Sequence, residues 1–96
     1  KYFVRHQSLL IKAIAYLQII LSEAYVLLNV NYKKQSSVID QIKQLSTVKA
    51  VKSVYGIYDL LIIFESDNLQ QVKGEIDEKL PLIDGVENMT TLISVS

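Results

Sequence analysis

The sequence has no cysteine and no tryptophan, and it has only one proline and one histidine. Without cysteine, disulfide frameworks, thiolate metal sites and cysteine nucleophiles are excluded, and the composition fits a reducing cytoplasm. The single His6 lies near the start of the chain, which argues against histidine-based catalysis. Ten basic residues balance ten acidic ones without forming a basic run, so the concentrated positive field that direct nucleic-acid binding requires is missing.

Residues that could carry catalysis are equally scarce. Three widely separated glycines provide no phosphate-cradling loop. Ser36 and Ser37 have no neighbouring base that would activate a hydroxyl nucleophile, and we interpret them as a helix start. The acidic residues around Glu75, Asp77 and Glu78 are interpreted as solvated charges of a helix surface. The sequence therefore predicts no catalytic residue, no metal site and no cofactor.

With 96 residues, half of them hydrophobic, the chain is expected to form one domain preceded by an arm over residues 1–22. In this arm the apolar residues recur at helical spacing, and no acid appears before Glu23. A signal peptide would show a small-residue cleavage site, which is missing. A membrane span needs about twenty apolar residues, and Lys12 makes the stretch too short. We favour an amphipathic helical arm that packs on the domain or on a partner subunit.

From residue 23 onward, the periodicity of the apolar residues changes regularly between that of strands and that of helices. The predicted strands span residues 24–32, 49–55, 58–65 and 87–95. One helix is predicted to begin at Ser36 or Ser37, and a second at Asp67 or Asn68 with its end before Pro81. The order β-α-β-β-α-β predicts a ferredoxin-like α+β sandwich, with the first and third strands at the centre and both helices on one face.

The stretch from Leu60 to Phe64 is an unbroken apolar run, which predicts a strand buried on both faces. Two helices cover only one face of a sheet. The other face is predicted to expose several large apolar side chains, namely Leu27, Leu61, Ile63 and Leu92. Because an apolar face of that size is unfavourable in a monomer, we expect a second subunit to cover it, sheet against sheet.

The segment Val-Tyr-Gly-Ile-Tyr-Asp, residues 54–59, stands directly before this run. Gly56 is expected to supply a positive φ angle in a hairpin. Asp59 either accepts local amide hydrogen bonds or binds the ammonium group of a free amino acid by a charge-assisted bond. In the second interpretation Tyr58 packs against the ligand side chain, and Thr90 and Thr91 add hydroxyl contacts. Both interpretations remain open at this point.

Residues 23–96 resemble the effector-binding (RAM) module of the Lrp/AsnC family of transcription regulators. Residues 54–59 are similar to the family signature Val-x-Gly-x-Tyr-Asp. The stretch Ile83-Asp84-Gly85-Val86 occupies the place where the family usually has Leu-Pro-Gly-Val. The resemblance implies the same βαββαβ fold, sheet-to-sheet dimers, rings of up to four dimers, and amino-acid effectors bound between dimers near the hairpin.

Carried over by position, the resemblance assigns Gly56, Tyr58 and Asp59 to the binding hairpin, and Thr91 to one of two threonines after Gly-Val. Met89 stands where the other threonine is usual, a departure that bears on the identity of the effector. Residues 1–22 are too few for a helix-turn-helix, so the chain resembles the stand-alone modules of the family. The alternative is a fragment whose DNA-binding half was removed, and we favour the stand-alone module.

The leading hypothesis is a cytoplasmic, non-enzymatic amino-acid sensor that self-associates and co-assembles with full-length regulators. The first alternative is a small dimeric enzyme of the ferredoxin-like barrel type, such as a monooxygenase or isomerase. Such an enzyme needs a histidine or an acid inside a pocket. The second alternative is an oligomerisation scaffold that binds no ligand.

Overall fold

The computed structural model describes residues 22–94. The predicted arm lies outside this range, apart from Ser22, which is the first residue of a strand. Each strand lies within two residues of its predicted bounds. The strands are β1 (Ser22–Val30), β2 (Val48–Ser53), β3 (Leu60–Ser66) and β4 (Val86–Ser94), and the helices are α1 (Gln35–Lys43) and α2 (Leu69–Gly74).

The four strands form one sheet in the order β2-β3-β1-β4, in which every neighbouring pair is antiparallel. The first and third strands therefore occupy the centre, as predicted. Each half of the domain is a strand, a helix and a second strand, and the β2–β3 hairpin joins the two halves. The ferredoxin-like α+β fold is confirmed.

The core lies between the sheet and the two helices. Along β1 every second residue is buried, because successive side chains of a strand point to opposite faces. The helices contribute their apolar stripes to the same cluster, so both cover one face of the sheet. We call this the helix-covered face. Its buried sheet residues are Ala24, Val26, Leu28, Val30, Leu60, Ile62 and Phe64, and its helix residues are Val38, Ile42, Val72, Ile76 and Leu80.

The start of α1 differs from the prediction. The helix begins at Gln35, directly after a 3-10 turn formed by Tyr32–Lys34. Asn31 caps that turn, because its side-chain Oδ1 accepts a hydrogen bond of 3.0 Å from the backbone N–H of Lys33. The predicted caps Ser36 and Ser37 are therefore wrong. An asparagine before a polar 3-10 turn provides the same capping chemistry several residues earlier.

The second helix begins where it was predicted. Asn68 is its N-cap, and its side-chain Oδ1 accepts a 3.1 Å hydrogen bond from the N–H of Gln71. The helix then widens into a π turn, Glu75–Lys79, and tightens into a 3-10 turn, Leu80–Leu82, which contains Pro81. Within the described part of the chain, no helix is long and apolar enough to cross a membrane.

The apolar strand β3 is fully buried on one face only. Leu60, Ile62 and Phe64 are inaccessible to solvent, whereas Leu61 and Ile63 are half-buried. Burial on both faces was predicted; within residues 22–94 both helices lie on the same face, so burial of the other face depends on a second subunit and stays a prediction. We call the other side the open face. It carries Tyr25, Leu27, Leu61, Ile63, Thr90 and Leu92.

Candidate functional site

The β2–β3 hairpin is closed by a backbone hydrogen bond of 3.0 Å, which Val54 N donates to Asp59 O. Gly56 has a φ of +122°, which confirms the predicted positive φ angle. A Cβ at this position would meet no heavy atom within 4 Å, so glycine is required here by backbone conformation and not by space. Tyr55 and Ile57 flank Gly56 with almost fully exposed side chains, so the hairpin presents two large apolar groups to solvent.

Asp59 joins this hairpin to the end of β1. Its backbone N–H donates to Leu28 O over 2.8 Å, and its carboxylate Oδ2 accepts from Val30 N over 2.9 Å. Asn29 adds a third link, because its Nδ2 donates to Ile57 O over 2.7 Å. An acid at the entrance of β3 thus satisfies backbone groups at the end of the central strand. This is the local-amide role considered for Asp59.

Asp59 also lines a cleft of about 380 Å³ between the hairpin and the start of α1. The other lining residues are Gln35, Ser53, Val54 and Tyr55. The lining residues therefore include one acidic, two neutral polar, one aliphatic and one aromatic residue, and no basic one. Such a cleft suits a small ligand that brings a positive charge to Asp59.

Tyr58 reaches the far edge of the sheet. Its hydroxyl lies 2.7 Å from Thr90 Oγ1, a hydrogen-bonding distance. Thr90 pairs with Leu27 and so belongs to the open face, whereas Thr91 pairs with Val26 on the helix-covered face. The structure therefore brings Tyr58 and Thr90 together and places Thr91 on the opposite side of β4.

Sequence reasoning missed a buried acid. Glu75, interpreted as a solvated surface charge, is only 3% exposed, and that interpretation is wrong. Its carboxylate accepts hydrogen bonds from the hydroxyl of Ser46 and from both the backbone N–H (3.1 Å) and the hydroxyl (2.6 Å) of Thr47. Burial raises the pKa of Glu75, but the hydrogen bonds from Ser46 and Thr47 outweigh it and hold the pKa below its ordinary value.

A signal for this burial was present in the sequence. Glu75 follows Val72 by three residues and directly precedes Ile76, so it lies at the border of the apolar stripe of the helix. The polar residues Ser46 and Thr47, at the α1–β2 junction, are its partners. Asp77 and Glu78, the other members of the predicted acidic surface, are exposed as expected.

Solved structures of several proteins share this fold, although no protein-family model and no curated protein matches the sequence. FFRP-DM1 is 27% identical with a TM-score of 0.71, over 77% of this chain and 99% of that one. AsnC from E. coli is 17% identical with a TM-score of 0.70, over 85% of this chain and 55% of that one. The transcriptional regulator NMB0573 from Neisseria meningitidis, in complex with L-Met, is 10% identical with a TM-score of 0.70, over 100% of this chain and 60% of that one.

Proposed function

Because the chain has the fold of the effector-binding module of Lrp/AsnC regulators, we propose that it is a regulatory module that binds a free amino acid at the β2–β3 hairpin. The observation that carries this proposal is the half-buried Asp59 carboxylate in the cleft beside α1. Val30 N donates a hydrogen bond to one oxygen of this carboxylate and so holds it in place. The carboxylate gives the cleft a negative charge, and the lining includes no basic residue.

The proposed binding mode follows from the lining of the cleft. Asp59 accepts the ammonium group of the ligand through a charge-assisted hydrogen bond. Gln35 and Ser53 offer neutral donors and acceptors for its other polar groups, and Val54 and Tyr55 complete the lining. A volume of about 380 Å³ is within the range of small-molecule sites. The complex of NMB0573 with L-Met supports an amino acid as the ligand class.

The lining includes no basic residue that would neutralise the ligand carboxylate. In this proposal the carboxylate is held by neutral donors of the cleft or by a neighbouring subunit. A ligand that completes its contacts only at a seam between subunits favours the assembly that contains the seam. Ligand binding thereby changes the oligomer, and through it the activity of full-length regulators in the cytoplasm with which the module co-assembles.

The open face is the proposed dimer surface. Its centre is apolar, with Leu27, Leu61 and Ile63 half-buried and Leu92 57% exposed. One end carries charged residues, where Lys49 lies within 4 Å of carboxylate oxygens of both Glu23 and Glu65. An apolar centre with a polar rim is the usual anatomy of a protein interface.

Glu75 is the residue on which an enzymatic alternative would depend, because such an enzyme needs an acid inside a pocket. Both of its carboxylate oxygens accept hydrogen bonds from Ser46 and Thr47. Its pKa is lowered, so it is ionised at neutral pH and has no proton to donate, and its oxygens already accept hydrogen bonds, so it is not free to act as a general base. We therefore propose a structural role for Glu75 and no catalytic role for the domain.

The test is a calorimetric titration of the chain with each of the twenty amino acids. Asp59→Asn retains an oxygen acceptor for Val30 N but removes the negative charge, so binding is expected to weaken about ten-fold or more. Asp40→Asn removes the same charge from an exposed position of α1 and serves as the matched control. It is expected to bind like the unmodified chain.

The proposal fails if no amino acid binds, or if Asp59→Asn binds as tightly as Asp40→Asn. In the first case the scaffold alternative gains support. In the second case Asp59 serves only to join the hairpin to β1. Thermal unfolding of both variants shows whether the fold is intact, so a loss of binding is not confused with a loss of structure.

A further inference from the structure

Strand β4 is an edge strand whose charge and register irregularity are confined to its first residues, so the stretch Asn88–Ser94 carries no charge. Within residues 22–94 it pairs only with β1, which leaves the backbone groups of its outer side free to pair with another strand. Of its nine residues only Glu87 is charged, and Thr90, Thr91 and Leu92 are exposed. Proteins normally protect long edge strands with charged residues, proline, bulges or covering elements, because an exposed edge invites further pairing.

The opposite edge of the sheet shows this protection. Strand β2 has exposed Lys49 and Lys52 among its six residues, and its register is irregular between Val48 and Ala50. A symmetric seam of two β2 strands would bring four lysines together, of which the two Lys49 lie within 4 Å of Glu23 and Glu65 of their own chain and the two Lys52 add further positive charge. The chain thus discourages pairing at one edge and permits it at the other.

We propose that β4 pairs antiparallel with β4 of a second copy of this chain, about a two-fold axis that passes beside Thr91. The register irregularity in β4 falls between Val86 and Asn88, where Glu87 is the extra residue. The regular stretch is therefore Asn88–Ser94, and its centre is Thr91. This interface is distinct from the open face and requires no ligand.

The side chains that meet in this register are compatible. Thr91 of one copy lies opposite Thr91 of the other, and two opposed threonines can form a hydrogen bond. Met89 faces Ile93 of the partner copy, and both are half-buried apolar residues next to the core. The two Glu87 residues lie eight residues apart along the seam, about 26 Å, so like charges do not meet. The result is a continuous eight-stranded sheet with the helices of the described part of each chain on one side.

The test is a charge exchange at Thr91, an exposed residue that does not line the cleft beside α1. Thr91→Lys places two lysines directly opposite each other, and Thr91→Glu places two glutamates there. Each variant alone is expected to dimerise through this edge more weakly than the unmodified chain. An equimolar mixture forms Lys–Glu pairs and is expected to associate roughly ten-fold more tightly than either variant alone. Analytical ultracentrifugation of the full chain measures both effects.

Gln70→Lys and Gln70→Glu are the matched controls, because Gln70 is an exposed residue of α2. These variants and their mixture are expected to associate like the unmodified chain. The inference is overturned if the Thr91 variants keep the mass of the unmodified chain, or if mixing them does not restore association. If mixing does not restore association, any charge on β4 disturbs the protein, and Thr91 of one copy does not lie opposite Thr91 of the other.

Discussion

Two carboxylates, those of Asp59 and Glu75, each accept a backbone N–H, yet their surroundings differ. Asp59 binds Val30 N at the edge of a cleft and is half-buried. Glu75 is buried and has both oxygens engaged by the hydroxyls of Ser46 and Thr47 and by the backbone of Thr47. The first arrangement leaves room for a ligand, whereas the second links α2 to the α1–β2 junction.

Replacing Glu75 by Gln is expected to lower the free energy of unfolding at pH 7 by about 2 kcal/mol, because hydrogen bonds to a charged acceptor become hydrogen bonds to a neutral one. Urea unfolding followed by circular dichroism measures the change. Glu78→Gln, an exposed neighbour, is the control and is expected to change the free energy by less than about 0.5 kcal/mol.

The same residue makes stability depend on pH. The pKa of Glu75 is lower in the folded chain than its ordinary value of 4.5, so the unfolded chain binds a proton more readily. Its contribution to stability is complete above about pH 4.5 and is lost as the pH falls through the lower, folded-state value. The Glu75→Gln substitution should flatten the acid side of the stability profile. If the acid side of the stability profile is unchanged, Glu75 is not the source of this pH dependence.

The sequence predicts Asp59 better than Glu75 for a physical reason. An acid next to a glycine hairpin has few roles, and accepting nearby amide hydrogen bonds is among them. Glu75 is a charged residue of a type usually found at the surface. Its burial depends on hydrogen bonds from Ser46 and Thr47, which lie almost thirty residues earlier. The apolar stripe indicates only that Glu75 lies at the border of the buried side of the helix, and the long-range hydrogen bonds to Ser46 and Thr47 cannot be read from local periodicity.

At the scale of elements, the Asp84–Gly85 turn fixes the start of α1 against β4. Gly85 O accepts a 2.7 Å hydrogen bond from Asn31 N, and Gly85 has a φ of +109°. A Cβ there would lie 2.9 Å from Val38 Cγ2 and 3.0 Å from Lys34 Cβ. Both the backbone conformation and the available space therefore require glycine at this position.

The costs of replacing Gly56 in the hairpin and Gly85 in the turn can be compared directly. Gly56→Ala introduces only backbone strain, expected to cost about 1–2 kcal/mol. Gly85→Ala adds steric overlap with Val38 and Lys34 and is expected to cost about 2–4 kcal/mol in total. Chemical denaturation of both variants measures the difference. Equal losses would mean that α1 shifts freely to make room.

The elements themselves were predictable because period-2 and period-3.6 patterns are properties of neighbouring residues. Their ends were less so. Ser36 and Ser37 have cap chemistry, but Asn31 has it too and precedes a 3-10 turn that the apolar pattern does not reveal. The π turn over Glu75–Lys79 was likewise invisible, since Val72, Ile76 and Leu80 keep a helical spacing through it.

At the scale of the whole molecule, the helices cover one face of the sheet, and residues 22–94 leave the other face open. Leu61→Lys places a charge at the apolar centre of the open face and is expected to lower the mass of the oligomer. Leu82→Lys places the same charge on an 83% exposed side chain of the 3-10 turn and is expected to leave the mass unchanged. Light scattering coupled to size exclusion measures both. A Leu61→Lys chain with unaltered mass would contradict a sheet-to-sheet dimer.

The hydrogen bond from Val30 N to Asp59 also provides a spectroscopic signal for ligand binding. The Val30 amide proton points at the carboxylate that is proposed to receive the ligand, over a donor–acceptor distance of 2.9 Å. Any cation that withdraws electron density from that carboxylate weakens this bond. The resonance of one backbone amide, at the end of the central strand, therefore reports occupancy of the cleft without a label, and its solvent-exchange rate reports how firmly β1 and the hairpin are held together.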